Sequence, residues 1–488
     1  MVIESLKYKI LQQFGFAPTQ EQGQALDTFV SFLTDRDPQA VMILRGSAGT
    51  GKTSLSGAIV RTLLQIRQKV MLLAPTGRAA KVFSLDSGAP AYTIHRRIYR
   101  EKAFAGVDGQ FGLNDNLYTD TLFMVDEASM IANMGLGGTT FGSGCLLDDL
   151  VKFVYQGHND RLLLIGDKAQ LPPVGEEESP ALSASVMEGY GLKVYECDLN
   201  EVLRQSQSSG ILYNATLIRQ MITHDAVTGL PLIRFKGFAD IVMMPGAELV
   251  ESLGDSYHHV GMDETMVITR SNKRANIYNN GIRNMVLDRE EELSSGDMLM
   301  IVKNNYFWTE KEKKESGEGS AGAVPAFLAN GDRAKVLRVS NYIELYGFRF
   351  ATLLLQLPDY DDYEMQVTGM LDTLQSEAPA LTHEQQEELF RQVEEDYQHF
   401  VPLKADRMKS IRQDAYFNAL QIKYAYAVTC HKAQGGQWAH VYVDQGYMTD
   451  DMLTPDYIHW LYTAFTRATD KLFLVNWPKE QTCEPTDL

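Results

Sequence analysis

The segment GSAGTGKT, residues 46–53, constrains the fold of this chain more than any other feature. It follows the apolar run VMIL and precedes a stretch compatible with a helix. Glycines let the backbone N–H groups of such a loop wrap phosphate oxygens, and the helix N-terminus adds positive potential. We therefore predict a phosphate-binding loop rather than a glycine-rich surface turn. Its expected nucleotide contacts are Gly46, Ser47, Ala48, Gly49, Thr50, Gly51, Lys52 and Thr53, with Lys52 on the terminal phosphates and Thr53 on Mg²⁺.

Seven short apolar runs alternate with helical patterns and predict buried strands. Runs this apolar are typical of parallel sheets that helices cover on both faces. They spread over more chain than one doubly wound sheet occupies, so an α/β fold with two such units is expected. The runs lie at residues 41–44, 70–74, 122–125, 161–166, 266–269, 440–443 and 471–475.

Two segments depart from this rhythm. Residues 309–323 are rich in Glu, Lys, Gly and Ser, which predicts an exposed flexible loop. Residues 337–400 begin with alternating, aromatic-containing sequence and continue into an acidic stretch that favours a helix. A small inserted domain with antiparallel strands is therefore expected in that region.

The charge balance is acidic, with a net charge of −18. This sign disfavours binding of nucleic acid by bulk electrostatics. However, residues 358–400 contain twelve acidic residues and one basic residue, so the rest of the chain carries only −7 and leaves room for a local basic groove. The acidic segment is either a solvated helix or an interaction surface for a basic partner.

Cysteine usage and hydropathy indicate the compartment. The four cysteines are far apart and form no C-x-x-C pair, which favours neither a zinc site nor a disulfide framework. No apolar run approaches the ~20 residues that span a bilayer. We expect a soluble, cytoplasmic protein with no membrane partner.

Two further segments supply polar residues at the ends of predicted strands. In LFMVDEAS, Asp126 would hold Mg²⁺ and Glu127 would polarise the attacking water, although a helix cap would explain the same residues. In RLLLIGDKAQLPPVG, Gln170 would hydrogen-bond the γ-phosphate and detect its loss. Together with the phosphate-binding loop, these residues predict hydrolysis of a nucleoside triphosphate.

The ordered set GSAGTGKT, VDEAS, GDKAQLPPV, HKAQG and TAFTRA resembles helicase superfamily 1B, the RecD-like and Dda-like 5′→3′ DNA helicases. The resemblance covers nearly the whole chain. It implies two RecA-like domains in tandem, a small β-hairpin insertion in the first and an SH3-like β insertion in the second. The implied boundaries are 1–195 for the first domain with its strand-separating pin at about 97–119, 196–336 with 421–488 for the second, and 337–420 for the SH3-like insertion.

The resemblance also assigns nucleotide contacts outside the loop. Gln22 matches the adenine-recognising position, and Arg204 and Arg467 match arginines that reach the γ-phosphate when the cleft closes. Taken alone, an arginine such as Arg204 is more often an ion-pairing surface residue. At the position where the family often has a ribose-binding Glu, this chain has Gln437, which adds no charge. In the same motif, HKAQGGQW, the resemblance also implies nucleotide contacts for Gln434 and Gly435.

The implied nucleic-acid contacts come from three motifs. Taken alone, His95 and His431 would more often be satisfied core or surface histidines. The aromatic residues Tyr306, Phe307, Trp308 and Trp438 could stack on bases, but core packing explains them equally well. The residues carried over from the family are Pro75, Thr76, Arg78, Thr93, His95, Thr429, His431 and Lys432.

The resemblance implies an ATP- and Mg²⁺-dependent monomer that acts on single-stranded DNA and on junctions of single- and double-stranded DNA, in repair, recombination or replication. An RNA-directed or non-unwinding translocase on the same scaffold is the alternative, because phosphate contacts do not distinguish the sugars well. A non-enzymatic nucleic-acid-binding subunit is a third hypothesis, which an intact hydrolytic set disfavours. No carboxylate cluster suggests nuclease activity.

Overall fold

The computed structural model describes residues 2–104, 109–135, 142–201, 208–223, 229–316, 324–325, 327–449 and 452–483. These residues form two parallel sheets with flanking helices, a closed five-stranded barrel and a two-stranded hairpin. The predicted α/β class and the presence of two sheets are confirmed.

The N-terminal part of the chain builds a six-stranded sheet and a hairpin. The strands are β1 (Ala40–Gly46), β2 (Lys69–Ala74), β3 (Ala91–Thr93), β4 (Tyr99–Phe104), β5 (Gly109–Leu113), β6 (Thr121–Val125), β7 (Arg161–Gly166) and β8 (Lys193–Leu199). The first sheet has the order β3-β2-β6-β7-β1-β8, and every neighbouring pair is parallel. β4 and β5 pair antiparallel as the hairpin.

Helices cover both faces of the first sheet. One face packs against Phe29, Phe32 and Leu63, and the other against Leu150 and Phe153. This double cover explains why β1, β6 and β7 are buried at every residue and were recognisable as apolar runs. The helices are α1 (Val2–Phe14), α2 (Gln20–Leu33), α3 (Lys52–Gln65), α4 (Gly77–Ser87), α5 (Ile94–Ile98), α6 (Leu146–Gln156) and α7 (Ala184–Gly189).

The C-terminal part of the chain builds the second sheet and the barrel. Its strands are β9 (Ile241–Met244), β10 (Thr265–Thr269), β11 (Met298–Ile301), β12 (Arg333–Leu345), β13 (Phe348–Leu357), β14 (Tyr363–Met370), β15 (Leu420–Tyr424), β16 (Ala427–Thr429), β17 (Trp438–Asp444) and β18 (Ala468–Val475). The second sheet is parallel with the order β16-β10-β17-β18-β9, and β11 to β15 close the barrel.

Eight helices complete this part of the described chain. They are α8 (Gly210–Thr223), α9 (Leu249–His259), α10 (Asn272–Gly281), α11 (Phe307–Ser316), α12 (His383–Gln398), α13 (Lys404–Arg412), α14 (Cys430–Ala433) and α15 (Pro455–Phe465). The acidic stretch forms α12, which a capping box of Thr382 and Gln385 starts. The predicted antiparallel strands are β12 and β13.

The expectation of a flexible loop at residues 309–323 is wrong for its first half. Residues 309–316 belong to α11, and residues 317–323 lie outside the described part. Glu and Lys are good helix formers, and Trp308 anchors the helix: it is 4% exposed and its indole N–H donates to the Asn418 carbonyl oxygen at 2.9 Å.

Several strands of the sheet and the barrel extend across the residue numbers that were expected as domain boundaries. β8 spans residue 195 and pairs with β1 in the first sheet. The barrel includes β11, which lies before residue 337 and pairs with β12, and β15, which extends past residue 420 and pairs with β11 and β14. Among the described residues, no helix has both the length and the apolar character needed to cross a bilayer.

Candidate nucleotide and nucleic-acid site

The carboxyl edge of the first sheet collects residues predicted from separate motifs. The phosphate-binding loop follows β1, Asp126 follows β6 and Asp167 follows β7. Since β6, β7 and β1 are adjacent parallel strands, their carboxyl ends lie side by side. This edge is the usual ligand site of open α/β sheets.

The loop after β1 has the backbone of a phosphate cradle. Gly49 and Gly51 have φ angles of 78° and 79°, which glycine adopts readily. A Cβ at Gly46 would lie 2.8 Å from Lys52 Cγ, so a larger residue there would displace the lysine. Lys52 Nζ donates to the carbonyl oxygens of Gly46 and Ser47, at 2.5 and 3.1 Å. The ammonium group therefore lies against the loop.

The carboxylates after β6 occupy an electrostatically costly position. Burial raises the pKa of Asp126 to about 7, and the charge of Glu127 adds to this shift. Glu127 has a φ of 52°, an uncommon conformation for a non-glycine residue that often marks functional sites. Together with the exposed Thr53 hydroxyl, Asp126 offers the hard oxygen ligands that Mg²⁺ prefers.

No cluster of three or more His, Cys, Asp or Glu side chains suited to a metal occurs in the described ranges. A magnesium ion in proteins usually binds through one or two protein oxygens plus phosphates and water. The donors Thr53 and Asp126 fit that mode, in which the nucleotide supplies the remaining ligands.

The segment after β7 faces the second part of the chain. Asp167 is 4% exposed, and its Oδ1 accepts from the Ala169 N–H at 3.0 Å. Gln170 is 7% exposed and its Oε1 is buried without a hydrogen-bond partner in the described structure. Because an acceptor of this kind is costly to bury unpaired, Gln170 Oε1 is suited to accept a hydrogen bond from a donor such as a water molecule.

Helix α15 and the residues that follow it form the opposite wall of this cleft. The Tyr462 hydroxyl donates to Asp167 Oδ2 at 2.7 Å and accepts from the Ala48 N–H at 3.0 Å. Arg467, 3% exposed, donates to the carbonyl oxygens of Thr463 and Gly436, each at 3.1 Å. Within the described residues it forms no ion pair, which leaves its charge available for an anion.

The two predicted arginines have different outcomes. Arg467 follows α15, the helix whose Tyr462 contacts the phosphate-binding loop, whereas Arg204 lies outside the described residues. The structure adds Arg219 on α8, which sequence reasoning missed: its Nη1 donates to Ser47 Oγ at 2.8 Å. Nothing in the sequence around Arg219 distinguishes it from a surface arginine, so only tertiary structure places it at the loop.

Three predicted nucleotide contacts are engaged with protein groups. Gln22 is 1% exposed; its Nε2 donates to the Thr50 carbonyl oxygen at 2.9 Å and its Oε1 accepts from the Thr19 N–H at 3.0 Å. Gln434 Nε2 donates to the Leu171 carbonyl oxygen at 2.7 Å. The Gln437 side chain is exposed, and the backbone carbonyl oxygen of this residue accepts from Arg78 Nη2 at 2.9 Å. Gln22 and Gln434 thus support the cleft walls.

The motif that contains Thr76 touches the motif that contains Thr429 to Gly435, in the other part of the chain. A Cβ at Gly435 would lie 3.3 Å from Thr76 Oγ1, so the two motifs are in contact. Thr76, after Pro75, caps α4, and Thr93 caps α5; each threonine accepts a backbone N–H from its helix. Helix N-termini with free N–H groups favour phosphate.

The titratable side chains among the predicted nucleic-acid contacts differ in protonation state. Burial lowers the pKa of His95 to about 4, so this histidine is neutral at neutral pH; burial also lowers the pKa of His431. Burial lowers the pKa of Lys432 to about 8, and Lys432 Nζ donates to Asn330 Oδ1 at 2.5 Å. Arg78 lies 4.3 Å above the Trp438 ring. Thr429, half-buried, begins α14 beside them.

The four aromatic residues that could have stacked on bases, Tyr306, Phe307, Trp308 and Trp438, are packed against other side chains. Trp438 is 1% exposed, and Tyr306 stacks on Phe327 with ring centroids 4.8 Å apart. Phe307 lies 5.0 Å from Trp308 in an edge-to-face contact. Core packing therefore accounts for these side chains.

Two protein-family models match separate segments of the chain. Residues 17–229 match the model described as an AAA domain, and residues 424–475 match the model described as a UvrD-like helicase C-terminal domain. The first match contains the phosphate-binding loop and Asp126. The second contains Gln434 and Arg467.

Relatives match over parts of their length. An uncharacterized protein of Methanocaldococcus jannaschii is 33% identical over 32% of this chain and 13% of its own length. The ATP-dependent RecD2 DNA helicase of Deinococcus radiodurans is 30% identical over 32% of this chain and 18% of that protein. The ATP-dependent DNA helicase Dda of enterobacteria phage T4 is 25% identical over 53% of this chain and 55% of that protein. The chain thus spans from about an eighth to about half of the length of these relatives.

Among solved structures, a Pif1 helicase from Bacteroides in complex with ADP-AlF3 and ssDNA aligns with 96% of this chain and 95% of its own. The sequence identity is 13% and the TM-score is 0.46.

Proposed function

Because the ordered motifs of the chain resemble those of helicase superfamily 1B, we propose that it is an ATP-dependent DNA helicase that translocates 5′→3′ on single-stranded DNA and separates duplexes. One observation supports this most: the phosphate-binding loop of the first sheet contacts Tyr462 and Arg219 from the second part of the chain, and the buried Arg467 follows the helix that carries Tyr462. A cleft with a nucleotide loop on one wall and arginines on the other can couple hydrolysis to movement of its walls.

In this proposal, ATP binds between the two sheets. Lys52 neutralises the terminal phosphates, and Thr53 and Asp126 would hold Mg²⁺, which would supply further screening of the phosphate charge. Glu127 orients the attacking water, Gln170 hydrogen-bonds the γ-phosphate, and Arg467 stabilises the charge that develops there. Loss of the γ-phosphate removes the anion that holds Arg467 and Gln170 together, so the cleft reopens.

The two sheet units correspond to tandem RecA-like domains in this proposal, with the β4–β5 hairpin as the strand-separating pin and the closed barrel as the SH3-like insertion. DNA would cross the face where Thr76 meets Gly435, because this face joins both sheets. Closure and opening of the cleft would change how tightly Thr76 and Thr93 bind the DNA strand relative to Thr429 and Lys432. The polarity is carried over from the resemblance.

Unwinding of two partial duplexes that differ only in carrying a 5′ or a 3′ single-stranded tail tests the proposal. We expect ATP-dependent opening of the 5′-tailed duplex alone. Opening of only the 3′-tailed duplex would keep the motor and refute the polarity. The Lys52→Ala variant serves as the control for contaminating helicases.

An RNA-directed or non-unwinding translocase is the second candidate. It is favoured by the character of the predicted contacts, since capping threonines and a lysine recognise phosphate rather than sugar. Competition between single-stranded DNA and RNA of equal length for stimulation of the ATPase separates the candidates. A helicase specific for DNA should show stimulation by DNA alone.

A further inference from the structure

The Tyr462 hydroxyl crosses the cleft and occupies a backbone donor of the phosphate-binding loop. Tyr462 belongs to α15 and is 1% exposed. Its oxygen accepts from the Ala48 N–H at 3.0 Å, while its hydrogen points to Asp167 Oδ2 at 2.7 Å. One side chain therefore links the loop after β1, the segment after β7 and a helix of the second sheet.

The chemistry of this bridge resembles that of a phosphate oxygen. A hydroxyl that donates to a carboxylate becomes a stronger acceptor, because hydrogen bonds in a chain polarise one another. Burial, with the charge of Asp167 adding to it, raises the pKa of Tyr462 well above its usual value, so the hydroxyl keeps its proton. The loop N–H thus receives an electron-rich oxygen, the kind of group that such loops bind.

We propose that the Tyr462 hydroxyl is an intramolecular stand-in for a nucleotide phosphate oxygen at the Ala48 N–H, and that nucleotide binding displaces it. This inference rests on the proposed nucleotide site. Tyr462 is then a positioning residue. It transmits the binding of nucleotide at the loop to α15 and does not touch the reacting atoms.

The contacts of helix α15 would transmit the displacement of Tyr462 to neighbouring residues. Thr463 Oγ1 accepts from the Leu171 N–H at 2.8 Å, and His459 Nδ1 lies 2.9 Å from the Ala169 carbonyl oxygen. Arg467 follows the helix by two residues and donates to the Thr463 carbonyl oxygen at 3.1 Å. A shift of Tyr462 away from the loop would therefore move Arg467 with it.

The Tyr462→Phe variant removes the competing acceptor at the Ala48 N–H together with the hydrogen bond to Asp167 Oδ2. Its matched control is Tyr457→Phe in the same helix: the Tyr457 hydroxyl is also buried and donates to Gln445 Oε1 at 2.5 Å, but it has no contact with the loop. Fluorescence titration of the full chain with mant-labelled AMP-PNP, without DNA, compares both variants with the unmodified protein.

We expect Tyr462→Phe to bind the analogue roughly two- to tenfold more tightly, the range for loss of one competing neutral hydrogen bond. Tyr457→Phe should bind as the unmodified protein does. Equal or weaker binding by Tyr462→Phe would overturn the inference alone. Absence of binding by the unmodified protein would overturn the proposed nucleotide site as well.

Amide hydrogen exchange of the unmodified protein provides a test that does not depend on the folding of a variant. Without nucleotide, the Ala48 amide should exchange slowly, because the Tyr462 hydroxyl holds it. Rapid exchange of that amide would refute the bridge. In the folded Tyr462→Phe protein, the same amide should lose its protection, whereas Tyr457→Phe should keep it.

Discussion

Lys52 is the residue whose loss should reduce ATP hydrolysis most directly. Its ammonium group lies against the carbonyl oxygens of the loop, where terminal phosphates would bind. We expect Lys52→Ala to lower the DNA-stimulated ATPase rate about a hundredfold or more, by analogy with removal of one charge-stabilising donor from an active site. A coupled assay of ADP release measures this rate.

The matched control for this change is Lys152→Ala on α6, where the ammonium group pairs only with Asp148 on an exposed surface. This variant should keep the unmodified rate. A Lys52→Ala protein that hydrolyses ATP at the unmodified rate, with the same melting temperature, would contradict the assignment of the phosphate-binding loop.

At the scale of elements, the turn that enters β12 buries a carboxylate against the first sheet's α4. Asp332 is 0% exposed; its Oδ2 accepts from the Tyr360 hydroxyl at 2.6 Å and from the Ala329 N–H at 2.7 Å. Its Oδ1 has no hydrogen-bond partner in the described structure and lies 2.5 Å from where a Cβ of Gly77 would be. Burial raises the pKa of Asp332 to about 7.

This raised pKa predicts a dependence of stability on pH. Between about pH 4 and pH 7 the folded state holds a proton on Asp332 that the unfolded state releases, so the free energy of unfolding falls as the pH rises and levels off above pH 7. Asp332→Asn removes this effect. We expect its stabilisation relative to the unmodified protein to be about 3 kcal/mol larger at pH 8 than at pH 5, because each pH unit between 5 and the pKa contributes about 1.4 kcal/mol.

Urea denaturation at the two pH values measures the difference. Asp361→Asn is the control, since Asp361 is an exposed acid of the same barrel in a left-handed conformation that asparagine tolerates. If Asp332→Asn gave the same change in stability at both pH values, the buried carboxylate would not carry the raised pKa.

At the scale of the whole molecule, the acidic charge should make DNA binding weakly dependent on salt. Arg78 and Lys432 are the two lysine or arginine residues among the predicted nucleic-acid contacts. Each phosphate neutralised on a single strand contributes a slope of about −0.7 to log K against log salt, so these two predict about −1.4. Fluorescence anisotropy with labelled single-stranded DNA at pH 7 measures the slope.

Lys432→Gln should make this slope shallower by about 0.7, while Lys152→Gln should leave it unchanged. A slope steeper than about −4 would indicate a broader basic groove than these contacts provide.

The strands that sequence analysis identified share one physical property. β1, β6 and β7 are buried on both faces, so their sequences are continuously apolar and stand out without any tertiary information. β8 was not identified, because as an edge strand of the first sheet it consists of exposed and half-buried residues up to its last position and is therefore not continuously apolar. α11 was misinterpreted as a loop since its sequence is polar, and Trp308 supplies the tertiary anchor.

The candidate site divides in the same way. The phosphate-binding loop and the residues after β6 and β7 are local in sequence, since each lies within a few residues of an apolar strand, and the chain alone therefore determined the nucleotide chemistry and the α/β class. The contacts of Arg219 with Ser47 and of Tyr462 with Ala48 join residues far apart in the chain. Only the packing of the two sheets against each other decided these contacts, because no local pattern of side chains encodes which residues meet across a cleft.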